Sequence, residues 1–232
     1  MPDRVFAIGD IHGCDTALNV LLERLELTPN DTVVILGDVI DRGPGSRQVI
    51  ERLISLQQLC EVVLIIGNHD EMMIKAYEGT DAGMSRMWLQ VGGLEALESY
   101  GGQTLGLVPR DHIEFLKSGV DYWKTKTDVF VHGNVQPEIP LADQSWEAMR
   151  WEHLNGWEAA LPDGRRVVCG HTSQKDGNPR IMNGWVCIDT FACGGGWLTA
   201  LNTDTNEIFR SKQSGETEGP LWLDEIANEF NH

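Results

Sequence analysis

Two hydrophobic periods alternate through the first third of the chain. Residues 4–8 end in the apolar run Val5, Phe6, Ala7 and Ile8 and read as a strand. From Asp15 onward, Leu18, Leu21, Leu22 and Leu25 follow the three-and-four spacing of an amphipathic helix. Pro29, Asn30 and Asp31 then turn the chain. The turn leads into residues 32–36, a β-branched run of the kind that fills a strand buried on both faces. Ser46 is a capping residue ahead of a second helix with Val49, Ile50, Leu53 and Ile54 on one face, and residues 61–66 form the next strand. This βαβαβ order predicts a mainly parallel sheet with right-handed crossovers, and so an α/β protein.

The pattern changes between residues 78 and 126. Met84, Met87, Trp88 and Leu89 mix with the glycine pairs Gly92-Gly93 and Gly101-Gly102, which predicts short helices and loops. This insertion either caps the rim of the sheet or pads its core, since Met and Trp at helical spacing usually pack. Strands return at 128–131 and 166–169, and four shorter runs at 180–182, 185–189, 197–202 and 207–210 read as antiparallel hairpins of a second sheet. Residues 1–210 are expected to form one domain, with 211–232 as a C-terminal tail or a closing helix.

Composition narrows the function. With 232 residues and 41% hydrophobic content the chain can bury a large single core. Its formal charge of −17, from 35 acidic and 18 basic residues, argues against nucleic acid as a partner, because binding to phosphate backbones rests on Lys and Arg. No apolar run is long enough for a signal h-region or a membrane span, so a cytoplasmic protein with no membrane partner is expected. The five cysteines form no C-x-x-C pair and suit buried reduced thiols. Cys14 lies near a helix start, where a thiol can become acidic and sensitive to oxidation.

The chemistry lies at the strand ends. Gly9-Asp10-Ile11-His12-Gly13, Gly37-Asp38-Val39-Ile40-Asp41-Arg42-Gly43 and Gly67-Asn68-His69-Asp70 each follow an apolar strand, and His132-Gly133-Asn134 and Gly170-His171-Thr172 do the same later. Such segments converge on one rim. Asp10 and His12 suit one cation, Asp38 can bridge to a second, and Asn68, His132 and His171 complete it; mixed N and O donors favour Mn, Fe or Zn over Mg or Ca. A hydroxide bridging two divalent metal ions serves as the nucleophile. His69 is then the general acid for the leaving alkoxide, Asp41 its hydrogen-bond partner and Arg42 the phosphate grip. Four of the seven histidines fall in these segments; His112, His153 and His232 are left to surface or packing roles.

With GDIHG at 9–13, GDVIDRGPGS at 37–46, GNHD at 67–70, VHGN at 131–134 and CGHT at 169–172, the chain resembles the calcineurin-like metallophosphoesterases. Within them it is most similar to the small bacterial and phage members of the serine/threonine phosphoprotein phosphatase branch. The resemblance implies two mixed sheets in a sandwich flanked by helices, a dinuclear centre with Mn foremost, and hydrolysis of phosphomonoesters without a covalent intermediate. It also implies Asp10, His12, Asp38, Asn68, His132 and His171 as ligands, with His69, Asp41 and Arg42 in the roles given above. A second phosphate-binding arginine is expected, and Arg150, in Met149-Arg150-Trp151-Glu152, is the candidate, with Arg165 and Arg166 as rivals.

The leading expectation is a monomeric phosphatase acting on phosphorylated protein or a small phosphoester. Arg42-Gly43-Pro44-Gly45-Ser46 also resembles the symmetric diadenosine tetraphosphate hydrolases, for which Trp88, Trp123, Trp146, Trp151 and Trp157 are candidate stacking rings. An inactive binding module that keeps the shape of the site is a third reading.

Overall fold

A computed structural model describes residues 4–229. Its strands are β1 (Val5–Ile8), β2 (Thr32–Ile35), β3 (Glu61–Leu64), β4 (Tyr122–Lys124), β5 (Asp128–Val131), β6 (Arg166–Cys169), β7 (Arg180–Met182), β8 (Trp185–Cys187), β9 (Leu198–Asn202), β10 (Glu207–Ser211), β11 (Thr217–Trp222) and β12 (Asn228–Glu229). The helices are α1 (Asp15–Arg24), α2 (Ser46–Leu56), α3 (Asn68–Glu78), α4 (Ala82–Trp88), α5 (Leu94–Ser99), α6 (Arg110–Lys117), α7 (Trp146–Trp151) and α8 (Leu223–Ile226). Two six-stranded mixed sheets result, ordered β11-β10-β9-β1-β2-β3 and β12-β7-β8-β6-β5-β4.

Period-two alternation explains how the sheets stack. In β1 and β2, Phe6, Ile8, Val33 and Ile35 join a core with Leu18 and Leu21 of α1 and Val49 and Leu53 of α2, whereas Ala7 and Val34 point the other way. There they meet Phe130 of β5, Val168 of β6 and Val186 of β8. The far face of the second sheet packs Val129, Val167 and Trp185 against Met149 and Leu154. Helices, sheet, sheet and an outer layer of loops with α7 therefore follow from one rule. β1, β2 and β3 run parallel, and so do β5, β6 and β8. The five motif segments that follow β1, β2, β3, β5 and β6 consequently leave their strands at one rim.

Several details differ from the sequence pattern. β9 and β10 do not build the second sheet; β9 runs antiparallel to β1, with Phe6 opposite Asn202, and β10 follows it. Residues 217–222, read as tail, form β11 on β10, where Arg210 binds Glu218 at 2.7 Å. The first four residues of β11, Thr217, Glu218, Gly219 and Pro220, carry no apolar alternation, so hydropathy does not mark this edge strand. Phe230 and His232 lie outside the described residues.

The 78–126 insertion adds Trp88, Leu97, Tyr100, Ile113 and Leu116 to the same core as Phe6 and Ile8, so it pads the helical layer. The described cysteines are all free, and burial pushes the Cys14 thiol up to about 12, which removes the acidity its place near a helix start suggested. Among the described residues no helix is long and apolar enough to cross a membrane.

Candidate metal centre

The first two rim loops are stitched together through the backbone. His12 N–H donates to the Asp38 carbonyl at 2.8 Å, Gly13 N–H to Val39 at 3.1 Å, and Gly43 N–H back to His12 at 3.0 Å. Ser46 does not cap α2, which starts from Gly45. Its hydroxyl instead accepts the Asp41 N–H at 2.9 Å and closes the second loop. Asp70, at the third position of α3, accepts N–H groups from Asp38 at 2.8 Å, Val39 at 3.1 Å and Gly67 at 3.0 Å. One buried carboxylate thus ties the second loop to the third.

Such close approach is what the motif glycines permit. A methyl on Gly67 would overlap a carboxylate oxygen of Asp38, and one on Gly170 would overlap Asp10. The non-glycine residues are strained as well. Among the described residues, His12, Asp38, Asp41, Arg42 and His171 account for five of the eight non-glycine residues with left-handed φ, at 45°, 48°, 75°, 66° and 60°. Each such residue costs about 1–3 kcal/mol and persists only where the surrounding fold over-determines it.

Asp38 stands at the centre. Its Oδ2 lies 3.5 Å from His12 Nε2, and its Oδ1 lies 3.5 Å from His132 Nε2. Two groups of donor atoms share it: His12, Asp38 and His69, and Asp38, His132 and His171, each group with its donor atoms within 4.8 Å of one another. The ring nitrogens are committed accordingly. His12 Nδ1 meets the Ile40 carbonyl at 3.0 Å and His132 Nδ1 the Leu36 carbonyl at 2.7 Å, which puts the lone pair of each ring on Nε2. His171 is reversed, with Nε2 on the Trp151 carbonyl at 3.0 Å and Nδ1 left over.

Burial drives His12 and His171 down to about 3 and holds His132 below its usual value, so all three are neutral with a lone pair to give. Asn68 Oδ1 sits 3.1 Å from His132 Nε2. Asp10 takes the His171 N–H on both oxygens at 3.2 Å, and burial, together with Asp189 and Asp38, pushes it well above the ordinary carboxylate range. Neutral imidazoles around buried acids that repel one another are a donor set that divalent cations would satisfy.

Asp41 and His69 form a separate unit. His69 Nδ1 donates to Asp41 Oδ2 at 2.6 Å. Burial works against the imidazolium, but Asp38 and the bond to Asp41 outweigh it and hold His69 above the usual histidine value. Arg42 reaches the Nε2 atoms of His12 and His69, at 2.8 and 2.9 Å. A pocket of about 390 Å³ opens over this rim, lined by Asp10, His12, Asp38, Arg42, Asn68, His69 and His171 among others. His132 lies beneath it, fully buried.

Arg150 is not brought to the pocket. Asp121, at 2.6 Å, and Glu71, at 3.5 Å, hold its guanidinium beside the ring of Trp146. Arg165 and Arg166 are likewise paired elsewhere, with Asp163 and Asp128. Lys175 and His153 line the pocket instead, and His153 stacks on His171 with ring centroids 4.1 Å apart. His153 therefore belongs to the site, where the sequence pattern predicts only a surface or packing role for it.

Asp70 and Asp189 were also missed as site residues, since nothing local marks an aspartate that serves another loop. None of the five tryptophans lines this pocket. Trp151 donates to Glu71 at 2.8 Å, Trp123 packs on Phe130, and Trp157 is 74% exposed.

Comparison with known proteins agrees with this geometry. A family model for calcineurin-like phosphoesterases matches residues 3–175. The symmetrical bis(5'-nucleosyl)-tetraphosphatase of Salmonella paratyphi B is 41% identical over 75 residues, which are 32% of this chain and 26% of that protein. The chain thus matches about a quarter of the length of that curated relative. Among solved structures, one described by inference as a diadenosine tetraphosphatase superposes with a TM-score of 0.69 at 21% identity, covering 90% of this chain and 93% of the other. A cold-active protein-tyrosine phosphatase of a psychrophilic Shewanella gives 0.61 at 19% identity, covering 95% and 83%. At these identities the structures speak for the fold. The family match takes in the whole rim from Asp10 to His171, and the chain belongs to the calcineurin-like phosphoesterase family.

Proposed function

We propose that the protein is a dinuclear-metal phosphomonoesterase acting on phosphoserine or phosphothreonine in proteins. The observation that carries this reading is the lining of the rim pocket, where, among the described residues, Arg42 and Lys175 are the cations and no Trp, Tyr or Phe ring offers a shelf for a nucleobase. Asp10, His12, Asp38, Asn68, His132 and His171 would hold two divalent cations, with manganese the first candidate. When bound, such a pair supplies Lewis-acid polarisation of the phosphoryl group and activation of water at neutral pH.

The rest falls to the chain itself. Arg42, whose amino groups donate to His12 Nε2 and His69 Nε2 at 2.8 and 2.9 Å, turns them to the non-bridging phosphate oxygens when substrate binds, which frees His69 Nε2 to carry a proton. His69, with Nδ1 held by Asp41, delivers a proton from Nε2 to the departing alkoxide. An alkoxide needs that proton far more than a phenolate does, so the buried dyad favours serine and threonine esters.

A second reading, symmetric hydrolysis of dinucleoside tetraphosphates, is favoured by the Salmonella relatives. One comparison decides between them. The Mn-loaded protein is given phosphoserine, phosphothreonine and phosphotyrosine peptides, nucleotides, diadenosine tetraphosphate and an aryl phosphate. A kcat/KM highest for phosphoserine or phosphothreonine peptides supports the proposal, and one higher by orders of magnitude for the dinucleoside tetraphosphate overturns it.

The two arginines should behave differently. Arg42→Ala is expected to lower kcat/KM by about ten- to a hundredfold, the loss of hydrogen bonds to a charged group. Arg150→Ala should change kcat/KM less than about twofold while lowering Tm by about 2–4 °C, as befits about 1 kcal/mol of ion pairing in a domain of this size. Steady-state kinetics and thermal melts on both variants check this.

A further inference from the structure

Trp88 is fully buried at the end of α4, and its indole Nε1–H donates to both oxygens of Asp41, at 2.9 Å each. Asp41 in turn receives the His69 Nδ1–H. A carboxylate held by one donor can turn about its terminal torsion, which has a broad well. A second donor on a rigid ring fixes its plane. That ring is itself wedged, because a methyl on Gly93 would come within 2.6 Å of the indole. The π-helical turn Leu89–Gly93 then brings the Gly92 carbonyl to the Arg42 N–H at 3.4 Å. A methyl on Gly92 would stand 2.7 Å from that same nitrogen. One stretch of the 78–126 insertion therefore touches both the partner of the acid and the backbone of the phosphate-binding arginine.

We infer that Trp88 is a positioning residue: its N–H fixes the Asp41 carboxylate so that His69 stays aimed at the leaving-group oxygen. The insertion thereby governs how well the enzyme expels a poor leaving group, beyond filling the core. This rests on the reading of His69 as the general acid. A merely structural Trp88 would act through its bulk, which phenylalanine largely keeps; a positioning Trp88 acts through its N–H, which phenylalanine lacks.

In the metal-loaded protein, Trp88→Phe is expected to lower kcat on a phosphoserine peptide by about 10- to 100-fold, the usual effect of removing an outer hydrogen-bond partner. On 4-nitrophenyl phosphate, whose leaving group departs without a proton, the change should stay below about threefold. Metal content and Tm are measured alongside and should be retained. Equal losses on the two substrates, or no loss on either, would overturn the inference.

His69→Asn run in parallel separates the two ideas. If it shows the leaving-group selectivity and Trp88→Phe does not, only the role of Trp88 falls; if it shows none, the acid assignment falls and takes this inference with it. Should Trp88→Phe not fold, the intact protein still decides. One of its eight indole N–H signals should be displaced downfield in an NMR spectrum and should move in Asp41→Asn. Eight signals indifferent to Asp41→Asn would sink the idea.

Discussion

Replacing His69 with asparagine lowers kcat on a phosphoserine peptide by about 10²–10⁴, the range general acid catalysis contributes, and leaves a nitrophenyl ester far less affected. The expectation follows from the division of labour at the rim. His69 gives Nδ1 to Asp41, and its Nε2 accepts from Arg42 at 2.9 Å, so Arg42 turns to the phosphate before a protonated Nε2 can serve the leaving oxygen. Asparagine retains the backbone N–H that Asp38 Oδ1 accepts at 3.0 Å, so the rim keeps its shape.

The pH profile gives an independent check. The acid must be protonated to act, so the rate on the peptide falls as pH rises through the His69 pKa. In His69→Asn that alkaline limb should vanish. A variant that keeps the limb, or that loses the aryl ester as steeply as the peptide, would show that another group supplies the proton.

Asp38→Ala should do more damage still. Both donor groups share this carboxylate, one oxygen turned to each. Without it, bound metal is expected to fall from two ions per chain to one or none. Activity should fall by at least about 10³, since metal Lewis acidity supplies several kcal/mol and each 1.36 kcal/mol is a factor of ten. Metal analysis after dialysis and single-turnover rates measure both effects. Thermal melts add a third: the wild-type Tm should rise with added Mn and drop with a chelator, by mass action on the folded state, while that of Asp38→Ala should respond much less. Two ions retained at full affinity would refute the bridging role.

How much of this was legible in the sequence depends on what each residue answers to. Asp10, His12, Asp38, Asn68 and His171 follow apolar runs directly, and a strand end is a position that local pattern can specify, so their convergence could be read. Arg150 shows the limit. It stands in the right stretch, but Asp121 and Glu71, far away in sequence, decide where its guanidinium goes. Asp70 and Trp88 were hidden for the same reason, each serving a loop more than thirty residues away. The left-handed φ of His12, Asp38, Asp41, Arg42 and His171 was equally invisible, because propensity argues against it and only the finished fold imposes it. β9 was recognised as a strand, yet hydropathy carries no information about which sheet accepts it.

That last pairing bears on how the protein is made. β1 leaves the ribosome well before β9, which covers one of its edges from almost two hundred residues later in the chain. Every residue of the candidate centre from Asp10 to His171 is synthesised before β9 exists. Throughout that interval β1 offers an open hydrogen-bonding edge, the kind of edge that pairs with neighbouring chains. The candidate rim is thus complete in sequence while the sheet beneath it is still unfinished.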